Sequence, residues 1–275
     1  MFDRRKYKDF AKKQLQNRWL VPILIAFVTN LLLFIFSIPN MFPLNFEELY
    51  SFAESGDTQA MFSYLTTMLS STQSIISYIL SFIQTFVSLI FMAATLHVCL
   101  KMTRSPEPVY FRDFIDGFSH WWNSIKAGLW QALWIFIWMF VSIIVMAIFV
   151  LIATSIFQNN ELIFTIIFLV SYIFAFIMIF RKTIEYSMTM FFIVEFPTLT
   201  ARKALNLSKI ITKGNIWNLF VLELSFIGYI FICMITLGIA YLWFEPYYNM
   251  TKTNAYHGLL KEAVENGLVK QEDLA

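Results

Sequence analysis

The chain has 275 residues, 59% hydrophobic and 14% charged, with a net charge of +2. An ordinary soluble domain is about 45–50% apolar and about 25% charged, and a nucleic-acid-binding chain carries a larger basic excess. The apolar residues fall in long runs, the mark of a membrane protein. Cys99 and Cys233 sit inside such runs, with neither disulfide nor metal-ligand spacing.

A helix needs about 20 apolar residues to cross the hydrocarbon core. The chain begins with an amphipathic segment from Arg4 to Trp19, where Phe10, Ala11, Leu15 and Trp19 stand among basic residues. Span 1 follows at about 19–38. It is too long for a signal-peptide core, and Ser37-Ile38-Pro39-Asn40 is no small-x-small cleavage site, so it reads as an uncleaved span. The loop 41–74 is the one sizeable external feature. Asn45-Phe46-Glu47-Glu48 is a capped helix start, and Phe46, Leu49, Tyr50, Met61, Phe62, Leu65 and Met68 read as helices lying on the outer leaflet.

Span 2, at about 75–100, carries a polar stripe of Ser77, Ser81, Gln84, Ser88 and Thr95. That stripe is read as a helix-packing seam before a pore lining, with Asn30 and Gln131 as similar interhelical contacts. A second amphipathic segment runs from Tyr110 to Trp122, then span 3 at about 125–157. Span 4 starts at Leu162 and either breaks near Lys182 or continues to Val194, where Arg181 and Glu185 pair at i, i+4 and Pro197 ends the projection. A third amphipathic segment, Thr198 to Trp217, presents Leu205, Ile210 and Ile211. Span 5 is about 216–235, Thr236-Leu237-Gly238 a tight turn, and span 6 about 239–256. The alternative is one helix over 216–248, which gives five spans and an external C-terminus.

Charge favours six. With the N-terminus inside, the twenty Lys and Arg residues divide as seven before span 1, four between spans 2 and 3, six after span 4 and three in the tail. None is left outside, whereas five spans strand Lys252, Lys261 and Lys270. The expectation is an all-α, polytopic bundle of about six spans, one integral membrane domain over residues 1–275, with amphipathic helices on the cytoplasmic side. Each amphipathic segment precedes a hairpin of spans, which points to a threefold unit. The competing reading is that any loop entering a membrane collects Trp and Lys.

Buried ionisable groups are costly and often line pathways. Glu223 in span 5 and Glu245 in span 6, the latter before Pro246, are the candidate intramembrane sites, with Ser81, Gln84 and Ser88 beside them. Each carboxyl is either a proton, cation or substrate contact or simply bonded to a neighbouring helix. His97, His120 and His257 are scattered, and no Walker loop or G-x-S-x-G occurs, so neither an enzyme nor a metal or cofactor is expected.

Tyr186-Ser187-Met188-Thr189, Glu195-Phe196-Pro197, Ala201 to Ser208, Lys213-Gly214-Asn215, Leu224-Ser225-Phe226-Ile227-Gly228, Thr236-Leu237-Gly238-Ile239, Leu242-Trp243 and Pro246-Tyr247 follow one another in that order. The chain in this respect resembles the bacterial integral-membrane family known as domain of unknown function 975. That family is distantly similar to the membrane domains of some glycerophosphodiester phosphodiesterases, an activity not expected here. Glu195 stands where the family often has Asp, and Glu245 where it commonly has an apolar residue, which lowers Glu245 as a family-wide site. Of the matched positions, Gly214 is read as a helix end, Gly238 as the external turn and Pro246 as a kink.

The resemblance implies location and fold, not activity. The expectation is a non-enzymatic protein of the bacterial inner membrane, N- and C-termini cytoplasmic. It would aid envelope homeostasis, export or self-protection through anionic leaflet lipids or a protein partner. The alternatives are a small transporter or channel using Glu223, Glu245 and the span 2 stripe, and an intramembrane enzyme acting on lipid.

Overall fold

A computed structural model describes residues 2–274 apart from 42–49, 52–53, 56–57, 71 and 157–160. The expected capped start at Asn45 lies outside the described residues. Among those described, the elements are helices and no strand: α1 (Arg4–Leu15), α2 (Leu20–Met41), α3 (Thr58–Ser70), α4 (Thr72–Arg104), α5 (Phe111–Gly117), α6 (Trp121–Ile156), α7 (Glu161–Tyr186), α8 (Thr189–Glu195), α9 (Ala201–Thr212), α10 (Ile216–Leu224), α11 (Ile227–Ile235) and α12 (Tyr241–Glu265). Helix is the form that satisfies every backbone group within one segment when lipid supplies no hydrogen bonds.

Among the described residues, five helical stretches are long and apolar enough to cross a membrane: Leu20–Ser37, Ser77–Arg104, Phe111–Ile152, Thr165–Glu195 and Ile216–Ile235. The expected sixth span does not reach that apolarity, because α12 holds Glu245, Lys252 and a polar second half. Its course is nevertheless set by a hairpin. Leu237 and Gly238 take positive φ angles of 51° and 89°, and Gly238 N donates to Cys233 O at 2.8 Å, closing a Schellman-type end. From there α12 returns antiparallel, with Tyr229 stacked on Phe244 and Phe226 edge-on to Tyr248. The single helix over 216–248 is therefore excluded.

Two expected helices are broken. Span 5 divides at Ser225-Phe226 into α10 and α11. Span 4 does not break at Lys182: it continues to Glu195 and ends just before Pro197 as expected, with an interruption at Ser187-Met188 between α7 and α8. The cause is Ser208 on α9, whose hydroxyl donates to Glu185 O at 2.7 Å and accepts from Met188 N at 3.2 Å. One buried side chain thus satisfies both backbone groups that the break exposes.

The three short amphipathic helices are each capped at the N-terminus. Asp3 accepts from Arg5 N and Lys6 N, Asp113 from Tyr110 N, and Thr200 from Lys203 N. Each then packs on the tail of the hairpin before it. On α5, a Cβ at Gly117 would lie 2.7 Å from Ala94 Cα of α4. On α9, Ser208 bonds the α7–α8 junction. For α1, the preceding hairpin is the last in the chain: Gln14 and Asn254 exchange amide hydrogen bonds, and Tyr7 lies against Gly258 of α12. The three units close into a ring with pseudo-threefold order. Similar ties stand at the entries of the first two hairpins, where Arg18 donates to Ser105 O and Glu107 O and Asn123 donates to Pro197 O. The tails of α4, α8 and α12 form the hub; there the hydroxyls of Thr95 and Thr251 bond back onto their own helices, and that of Thr189 donates across the break to Tyr186 O at the end of α7.

Candidate functional site

At the hub, α8 and α12 meet through aromatic rings. Phe191 stacks on Tyr256 at 5.1 Å and Phe192 meets it edge-on at 5.2 Å. α4 joins through two polar contacts. Arg104 pairs with Glu195, and Thr103 Oγ1 lies 3.0 Å from His257 Nε2. Glu195 Oε2 and Tyr256 Oη are buried without a hydrogen-bond partner. Burial holds the His257 imidazole below its ordinary range; Glu195 opposes that shift and Arg104 reinforces it. Three separate helices therefore contribute one polar cluster, its Glu195 side chain and Tyr256 buried and Arg104 closing it from the exposed side, of the kind that specifies a unique packing when satisfied and is costly when not.

Around the hub runs a collar of cations over aromatic rings. Lys182 lies 4.5 Å above Trp138, and Lys209 lies 5.1 Å from Trp134 and 5.3 Å from Tyr186. Trp138 Nε1 donates to Tyr186 Oη at 3.1 Å. Glu185 binds Arg181 at 3.2 Å and Lys182 at 2.7 Å, so the expected i, i+4 pair is present. Lys209 has no carboxylate partner among the described residues, and burial followed by the charge of Lys182 lowers its pKa. These contacts place cations where the apolar helices leave the membrane-like zone, each held by a ring face.

The intramembrane candidates are separate from the hub and from each other. Glu223 accepts from Tyr248 Oη and from Lys252 Nζ, both at 2.8 Å. Glu245 accepts from Asn30 Nδ2 at 2.7 Å, which ties α12 to α2. Gln84 donates to Leu33 O, again reaching α2, and Ser88 donates to Thr85 O within its own helix. Ser81 accepts at its carbonyl from Thr85 Oγ1. Thr95 of the α4 stripe and Glu245 line one small cavity, which Glu223 does not reach, so the two carboxylates do not converge.

The matched motif residues turn out to hold backbone and helix ends. Ser225 donates to Leu222 O, and its own carbonyl, freed by the α10–α11 break, accepts from Lys8 Nζ of α1 at 3.1 Å. Pro197 accepts from Asn123. Gly214 has a φ of 87° just past α9. Gly228 faces open space, Pro246 lies inside α12, and Tyr247 is buried beneath Lys12, whose Nζ is 6.0 Å from its ring.

Sequence reasoning missed Arg104, Tyr256 and the role of Lys8. A signal was present: Tyr186-Ser187-Met188-Thr189 repeats as Tyr248-Asn249-Met250-Thr251, which marks equivalent turns of the hub helices. The histidines are less scattered than expected, since the rings of His97 and His120 lie 6.1 Å apart. Among the described residues, however, no group of three His, Cys, Asp or Glu side chains is placed to hold a metal.

These features define a polytopic helical membrane bundle with one protein-packed end, ringed by amphipathic helices. The chain belongs to the family described as Protein of unknown function (DUF975), whose model matches residues 1–263. No curated protein and no solved structure matches the chain.

Proposed function

We propose that the protein is a non-enzymatic component of the bacterial inner membrane, with both termini cytoplasmic, that supports envelope homeostasis, export or self-protection by engaging anionic lipid and a protein partner at its ringed end. The observation that carries this reading is the collar: basic amphipathic helices closed around one end of the bundle, with Lys182 and Lys209 held on aromatic faces. Basic residues near an anionic leaflet contribute about 1 kcal/mol each. The orientation rests on the Lys and Arg distribution. The hairpin returns α12 toward the α1 end, which supports six crossings with no basic residue translocated.

The test is stability in nanodiscs. The full chain should unfold at higher temperature in discs holding anionic phospholipid than in zwitterionic discs of equal chain length. The difference should shrink as salt rises. Equal unfolding temperatures in the two discs would sink the reading. The transporter alternative gains no support from the geometry, since Glu223 and Glu245 are each occupied by protein partners in different places.

A further inference from the structure

A groove of about 410 Å³ runs beside the α11–α12 hairpin, lined among others by Lys12, Trp19, Tyr229, Cys233, Ala240 and Trp243. Its wall is almost wholly apolar except at one end. There Lys12 of α1 lines it, while Lys8, one helical turn earlier on the same face, lies outside the lining and donates to Ser225 O at 3.1 Å. Lys12 Nζ sits 6.0 Å from the Tyr247 ring, and Lys8 Nζ sits 4.0 Å from the Phe226 ring and 6.0 Å from Tyr229. Neither lysine has a carboxylate partner among the described residues, and Asp9 on the same helix pairs with neither. Burial, then the charges of Arg4 and Lys12, depress the Lys8 pKa.

We infer that this groove binds one anionic membrane lipid, its phosphate at Lys12 and the upper part of an acyl chain along Tyr229, Cys233, Ala240 and Trp243. The inference deepens the reading of a lipid-engaging protein and rests on it. Polarity selects the occupant. One lysine at one end and hydrocarbon-like walls below match a phospholipid with a negative headgroup. A soluble metabolite would leave the walls uncovered, and a peptide would leave its backbone groups unsatisfied. Length agrees too. From Tyr247 to Ala240 the helix advances seven residues, about 10 Å at 1.5 Å each, which takes the first part of a chain and leaves the rest in the bilayer. Trp19 and Trp243 flank the site with rings suited to the headgroup boundary.

The experiment is native mass spectrometry of the full chain in mild detergent, titrated with phosphatidylglycerol or with phosphatidylcholine of the same chains. The expected result is one phosphatidylglycerol retained at least tenfold more tightly than phosphatidylcholine. Lys12→Gln should weaken that binding at least fivefold. Ala240→Trp fills the groove without altering charge and should weaken both lipids. Lys203→Gln, on α9 away from the groove, should behave as the parent. Circular dichroism identifies any variant that fails to fold, and Cys233→Trp then replaces Ala240→Trp as the filling variant. Equal retention of the two lipids, or parental binding with the groove filled, overturns the assignment. A chain stabilised by anionic nanodiscs but indifferent to Lys12→Gln and to filling would remove this groove while leaving the collar reading intact.

Discussion

Within one stretch of chain the environment inverts. On α7, Val170 is 61% exposed and Phe176 60%, whereas twenty residues on, Tyr186, Met188 and Ile193 are each 0% exposed. The residue types on the two sides of the boundary are alike, so hydrophobicity does not separate them. What differs is the partner. The hairpin of α6 and α7 leaves its outer surface for lipid, with 6% of its apolar windows buried inside the protein. The ringed end buries the same kinds of side chain against other helices and adds hydrogen bonds that hold each break. The family motif residues from Tyr186 to Ser208 fall mainly in the second environment, where identity is constrained by packing and bonding rather than by apolarity alone.

Perturbations should therefore be graded by side of this boundary. The largest effect is expected from Ser208→Val, which orphans Met188 N and leaves Glu185 O only the longer bond from Thr212 Oγ1 at 3.4 Å. Each buried unsatisfied group costs about 1–3 kcal/mol, and unfolding in detergent should shift accordingly; an unchanged midpoint would disprove the account of the α7–α8 break. Next come two glycines with opposite signs. Gly117→Ala drives a methyl into the Ala94 backbone and should destabilise by about 1–3 kcal/mol. Gly228→Ala meets nothing within 4 Å and should stabilise by up to about 1 kcal/mol, so equal effects would refute the close approach of α5 to α4.

A smaller effect concerns pH. His257 is held below its ordinary value of 6.5 in the folded chain, so the unfolded chain takes up the proton first as pH falls. Its contribution to stability is full above about pH 6.5 and declines as pH drops toward the folded value. His257→Gln should flatten that part of the stability profile, and an unaltered profile would place the imidazole outside the hub. Smallest of all is Val170→Ala on the lipid side, expected within about 0.5 kcal/mol.

Much of the fold was legible in the sequence because apolar length and charge placement are local and additive properties. The three amphipathic helices, the Gly238 turn and the Gly214 helix end all follow from residues within a few positions of each. The two helix breaks were not legible. Neither Ser187 nor Ser225 is a breaker by type, and the groups that stabilise the breaks, Ser208 and Lys8, lie 20 and 217 residues away from Met188 and Ser225. The hub was hidden for the same reason. Arg104 and Glu195 are separated by 91 positions, and the repeated Tyr-x-Met-Thr related only α8 and α12, leaving α4 without a signal. Glu223 and Glu245 stood out as ionisable groups in apolar runs, but the neighbours that satisfy them, Tyr248, Lys252 and Asn30, could not be assigned from spacing.

The docking of α1 on α12 also sets an order of events during synthesis. Gln14 and its partner Asn254 are 240 residues apart. At about 5–20 residues per second, the first helix waits roughly 10–50 s on the membrane surface before its seat exists. During that interval its lysines have only lipid to hold them. The ring is therefore closed last, by the arrival of the final helix, and a nascent chain stalled before α12 carries a detached, basic N-terminal helix that marks it as unfinished.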